Sequence, residues 1–191
     1  MNEERIIECV LNGETEMFRL LVERYHERVF ILSRGFVHSR EDAEDVTQDT
    51  FLKAFISLGY FAGRSEFSTW LFRICINTSL SFVKKKNKSY LLSEYSDKIK
   101  LFIDKFSHDK SETPYLILSG KERREFIYKE IDKLSEKQKT AFILSRLDEL
   151  SQKEIAKIMM ISEHAVESLI QRANKQLKNK LKSIIDEKNN G

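Results

Sequence analysis

The chain has 191 residues, room for one large domain or two small ones with separate cores. With one proline, six glycines, 33% charged residues and apolar residues recurring at gaps of three and four, the composition excludes a β-rich fold and predicts an all-α protein. The formal net charge of +3 is unevenly spread, −4 over residues 1–83 and +7 over the rest. That suits a protein touching both another protein and DNA, and suits solvated helices equally well.

Cys9 and Cys75 are far apart and neither has a second cysteine or a histidine nearby at ligand spacing, so no metal site and no disulfide are expected. A reducing, cytoplasmic location follows. Glu3, Glu4 and Glu8 stand where a signal peptide needs a basic start, and no apolar run approaches membrane-spanning length, so no membrane insertion is expected. A glycine-rich phosphate loop, a nucleophile elbow and a metal cluster are all missing, which argues against an enzyme: no catalytic residue, cofactor or small-molecule substrate is expected.

In chain order, residues 5–88 are dense in helical apolar spacing. Ser39-Arg40-Glu41-Asp42 has the form of a capping box and predicts a helix start. Its apolar stripe is Ala43, Val46, Thr50, Phe51, Ala54 and Phe55, which leaves Asp45, Gln48, Asp49 and Leu52 on another face. Taken alone, that face reads as solvated polar surface. Residues 61–67, with Gly63, Arg64, Ser65 and Glu66 between aromatics, read as a loop. Ser68 or Thr69 then caps a helix running through Trp70, Leu71, Phe72, Ile74, Ile76 and Leu80 and ending in the basic run Lys84–Lys88. The helical spacing makes Trp70 a core residue sooner than a base-stacking platform.

Residues 89–119 are mixed, contain Pro114, and form the expected linker. Helical spacing resumes over residues 120–185. Ser135-Glu136-Lys137-Gln138 and Ser151-Gln152-Lys153-Glu154 are two more capping boxes, and Ser162 caps a third helix about three residues after the second. Short helices, a tight turn and a following basic tail predict a helix-turn-helix whose last helix enters the major groove. Glu163, His164, Ala165, Glu167 and Ser168 would then meet base edges, and Arg172 and Lys175 phosphates. The predicted architecture is two small helical domains joined by a linker, the C-terminal one a helix-turn-helix.

EDAEDVTQDTFLKAF at 41–55 and FAGRSEFSTWLFRICIN at 61–77 closely resemble the second region of sigma-70-type factors of the extracytoplasmic-function (ECF) group. The stretch LSEKQKTAFILSRLDELSQKEIAKIMMISEHAVESLIQRANKQLKNKL at 134–181 is similar to their fourth region. The resemblance implies a transcription initiation factor whose partners are core RNA polymerase and promoter DNA, with an anti-sigma protein as a further plausible partner. It implies that Asp45, Gln48, Asp49 and Leu52 bind the clamp helices of the large catalytic subunit. Gly63, Arg64, Ser65 and Glu66 match the loop that receives a flipped base of the -10 element, and Trp70 and Asn77 match the helix behind it. The stretch from Ser162 to Lys175 matches the reader of the -35 element.

Three positions depart from the family pattern. Met160 stands where glycine is frequent, suggesting a tighter apolar turn, and Ala165 and Leu169 replace frequent DNA donors. The competing reading is a helix-turn-helix regulator that binds DNA without polymerase. The acidic DVTQD face discriminates between the two, because such a regulator needs no surface of that kind.

Overall fold

In the computed structural model the backbone is described for residues 1–104, 120–147 and 150–189, and side chains for 1–87, 126–147 and 150–180. Among the described residues there are eight α-helices, two short 3-10 turns and no strand, so the all-α expectation holds. Of the predicted linker, residues 105–119 lie outside the described residues.

Helix α1 (Glu3–Leu11) starts where the Asn2 side chain accepts the amide of Arg5 at 3.0 Å, with Glu3 and Glu4 beside the positive helix end. Helix α2 (Phe18–Val37) is the spine of the N-terminal half. Leu21, Tyr25, Val29, Leu32 and Phe36 recur at three- and four-residue steps and are all buried. It stops at His38, which adopts the left-handed conformation at φ 62°.

Helix α3 (Arg40–Ser57) has the predicted Ser39 cap, which accepts the Asp42 amide at 3.4 Å. The reciprocal half of the capping box is replaced: the Asp42 carboxylate pairs with Lys86 on the next helix. Ala43, Val46, Thr50, Phe51 and Ala54 are buried as expected, but Phe55 is 39% exposed and Thr47 is buried in its stead. At about 100° per residue, the buried arc centres near Ala43 and Ala54, and Phe55 falls roughly 110° from that centre.

Helix α4 (Phe67–Asp104) corrects the sequence expectation at both ends. It begins at Phe67 and not after Ser68 or Thr69, with the Trp70 amide bonded to the Glu66 carbonyl at 3.3 Å and Thr69 buried. Burial of Phe67 against Tyr25, 5.7 Å between ring centres, draws the first turn into the core. Nor does the helix end in the lysine run. Lysine favours helix, and no glycine or proline occurs between Gly63 and Pro114 to stop it.

The C-terminal half comprises α5 (Gly120–Asp132), α6 (Glu136–Leu144), α7 (Gln152–Met159) and α8 (Glu163–Asn189). Both predicted capping boxes form in full, at Ser135 with Gln138 and at Ser151 with Glu154. Hydrogen bonds from the hydroxyl and amide of Ser151 hold the Glu154 carboxyl below its usual range. Leu134, Ala141, Leu144, Ile155, Ala156, Val166 and Ala173 make the small core. The turn departs from expectation: Met160 takes the left-handed conformation at φ 54° with its side chain 75% exposed, and Ile161 packs instead. The two halves meet along α2 and α4, and their buried apolar residues form one continuous cluster.

Candidate functional site

Three separate surfaces carry the predicted residues. The first is the outward arc of α3. Asp45, Gln48, Asp49 and Leu52 are all exposed, on the side opposite the buried stripe. Asp45, Gln48 and Asp49 form one wall of a groove whose other wall is Thr78, Phe82, Lys85 and Lys86 of α4. Beside the carboxylates lies an apolar strip that sequence reasoning missed, where Leu52 is 57% and Ile56 70% exposed next to Phe55. A signal for it existed: residues 51–56 hold five apolar side chains, more than one helix face can bury. Acidic groups flanking exposed aliphatics are the composition of a protein-binding patch.

The second surface is the loop 61–66 with the start of α4. Gly63 sits at φ 65°, and a Cβ there would meet nothing within 4 Å, so glycine is favoured by the backbone conformation and not by space. Arg64 and Glu66 are exposed and Ser65 half-buried. The loop faces the start of α1 across a cleft lined by Asn2, Glu3, Phe61, Gly63, Ser65 and Glu66. Glu3 is already engaged by Arg24 at 3.1 Å and by the Tyr25 hydroxyl at 2.5 Å. Burial first, and then the bond to Glu3, push the Tyr25 phenol above its ordinary range. Trp70 is half-buried, with ring centres 5.2 Å from Phe61 and 5.6 Å from Phe67, so it forms an aromatic wall behind the loop. Asn77, seven residues on, is exposed on the same face of α4.

The third surface is α8. The Ser162 hydroxyl accepts the Ala165 amide at 3.2 Å, as predicted. Glu163, His164 and Glu167 are exposed, Ala165 and Ser168 half-exposed, and Arg172 and Lys175 exposed further along. Gln171 donates to Glu167 at 3.1 Å, occupying one carboxylate oxygen of the early face. The helix rests on α6 and α7 through Val166 and Ala173, which turns the polar residues outward.

Residues 21–89 match sigma-70 region 2, and residues 124–177 match sigma-70 region 4. The chain is 32% identical to the ECF RNA polymerase sigma-E factor of Escherichia coli (strain K12), covering 97% of each chain. The chain belongs to the ECF group of sigma-70 factors. It is therefore a promoter-specific transcription initiation factor. The RNA polymerase sigma-H factor of Pseudomonas aeruginosa is 30% identical over 97% of this chain and 96% of its own. Among solved structures, the sigma factor RpoE of Bartonella quintana, determined with the anti-sigma factor NepR, shares 25% identity. It covers 86% of this chain and 96% of its own at a TM-score of 0.58. The region 2 match contains the first two surfaces and the region 4 match the third, while α1, which adds Ile6, Ile7 and Val10 to the core, precedes both. Among the described residues no helix is long and apolar enough to cross a membrane, and no cluster of three or more His, Cys, Asp or Glu could hold a metal.

Proposed function

We propose that this sigma factor docks on core RNA polymerase through Asp45, Gln48, Asp49 and Leu52. It receives an unpaired -10 base at Gly63, Arg64, Ser65 and Glu66, backed by Trp70 and Asn77. The start of α8, Ser162 to Ser168, reads the -35 duplex, with Arg172 and Lys175 anchored on phosphates. In this reading residues 5–88 form the core- and -10-binding domain, 89–119 the linker and 120–185 the -35-binding domain. The protein acts without catalysis of its own, in the cytoplasm, and an anti-sigma protein is a further partner, supported by the NepR complex of its structural relative.

The observation that carries the reading is the uncovered α3 face, where three polar residues adjoin Leu52 and Ile56. An autonomous DNA-binding regulator has no use for such a patch, and carboxylates there repel phosphate. The division of labour also follows from chemistry. A flipped base needs a polar loop beside aromatic groups, whereas duplex readout needs a rigid helix in a groove. The test is capture of core polymerase by the triple variant Asp45→Ala, Gln48→Ala, Asp49→Ala. Because none of the three is buried, helical content is unchanged, and the expected loss is at least tenfold in affinity. Unaltered capture removes this face from the mechanism.

A further inference from the structure

The outward face of α8 holds a residue that spacing alone left unassigned. At about 100° per residue, the stripe resting on α6 and α7, made of Val166, Ile170 and Ala173, centres near Val166, and Gln171 falls roughly 130° away from it. Gln171 is exposed there, on the side of His164, Ser168 and Lys175. It stands eight residues after the helix start at Glu163, about 12 Å along the axis, a span comparable with the width of the major groove. Glu167 lies nearer the flank, roughly 90° from the stripe, and its carboxylate meets Gln171.

The contact between these two fixes what Gln171 can recognise. An amide can turn either its oxygen or its nitrogen toward a neighbour, but an ionised carboxylate only accepts, so the nitrogen must face Glu167. Gln171 Nε2 accordingly donates to Glu167 Oε1 at 3.1 Å. That uses one N–H. Oε1 and the second N–H remain side by side, an acceptor next to a donor. Among the major-groove edges of the four bases, adenine alone offers the reciprocal pair, the N6 amino group as donor beside N7 as acceptor. Guanine shows two acceptors, thymine an acceptor beside a methyl group, and cytosine a donor with no acceptor beside it, so each satisfies only half of the amide. A glutamine already held by its neighbour also loses less side-chain freedom on binding than a solvated one.

We propose that Gln171 reads an adenine of the -35 duplex through N6 and N7, and that Glu167 is a positioning residue, holding the Gln171 amide in the orientation this readout needs. The proposal rests on the assignment of α8 to the -35 duplex and adds to it a reader and the base it selects. The test uses holoenzyme reconstituted from the full chain and core polymerase. The probe is a promoter found by run-off transcription of genomic DNA and then randomised over its -35 block, with bound fragments sequenced.

Wild type should show one position at which adenine is preferred about fivefold or more over every other base. Gln171→Ala should flatten that position alone; because Gln171 is exposed and alanine favours helix, the fold is kept. Gln171→Glu, which offers only acceptors, should move the preference to cytosine. Glu167→Ala should lower the adenine preference about threefold or more, and have no further effect when Gln171 is already alanine. Replacing that adenine by 7-deazaadenine, which lacks the N7 acceptor, should weaken wild-type binding about threefold or more and leave Gln171→Ala unaffected, a difference that a purely structural part for Gln171 would not give. A Gln171→Ala variant with every preference intact, or one that flattens a position selecting another base, overturns the adenine reading. An unchanged adenine preference in Glu167→Ala overturns the positioning role. If wild-type holoenzyme selects bases at -10 and none at -35, the assignment of α8 to the duplex fails instead.

Discussion

Met160 and His38 are the two non-glycine residues with positive φ among those described, at 54° and 62°, and replacing each by glycine should move stability in opposite directions. The left-handed conformation costs an L-residue about 1–2 kcal/mol, part of which glycine gives back by enlarging the entropy of the unfolded chain. Met160 is 75% exposed and ends α7, where glycine is the favoured terminator, so removing its side chain sacrifices little packing. Met160→Gly should gain about 0.5–1 kcal/mol, which for a chain of this size raises Tm by about 1–4 °C. His38 has the same backbone but a side chain only 15% exposed, bonded to Asp132 and stacked on Tyr128. His38→Gly gains the same relief. It loses a hydrogen bond to a carboxylate worth about 1.5–3 kcal/mol and a ring stack worth about 0.5–1.5 kcal/mol, a net cost of about 1–4 kcal/mol. Thermal unfolding of both variants and wild type, followed by circular dichroism at 222 nm in one buffer, measures the pair. Shifts of the same sign would refute the account, because only the side-chain surroundings distinguish the two sites.

Three further outcomes follow from single groups. Ser151→Ala removes the capping box of α7 and should cost about 1 kcal/mol in urea unfolding; a change near zero would mean that water caps the helix equally well. Arg172→Ala or Lys175→Ala should lower the salt slope of holoenzyme binding to promoter DNA by about 0.9 for each phosphate no longer neutralised, whereas changes at Glu163 or Ser168 should alter base preference; equal effects on both quantities would contradict the sorting. Burial alone would raise the Asp132 carboxyl, but hydrogen bonds from His38 and Lys139 outweigh it and hold the group below its ordinary range. With the folded value depressed, this stabilisation is present above the unfolded value near pH 4 and is lost as pH falls through the folded one. The difference in unfolding midpoint between wild type and Asp132→Asn should be constant above about pH 5 and shrink below about pH 4; a difference that grows toward acid would refute the sign.

Much of the helical framework was legible because its signals are local. Ser39, Ser135, Ser151 and Ser162 each cap the helix they precede, since a hydroxyl reaches an amide only three residues away. The apolar stripe of α3 was legible for the same reason, as was the helix-turn-helix, built from elements adjacent in sequence. Where local signals compete, tertiary packing decided. Ser68 and Thr69 are good caps, yet α4 starts at Phe67 because the core claims that ring; Phe55 is apolar, yet the arc shared by α2 and α4 has rotated past it.

Sequence by itself therefore determined the class, the capped starts of α3, α6, α7 and α8 and which polar residues of α3 and α8 avoid their apolar stripes, all properties of a few consecutive residues and a 3.6-residue period. Only the tertiary structure decided that Arg73 caps α7, that Lys139 caps α2 and that Gly35 admits Ile143. Those partners stand 84, 103 and 108 residues apart. No period or spacing links such pairs: an arginine looks solvated, and a mid-helix glycine looks like a defect, until the second unit is seen to dock on them.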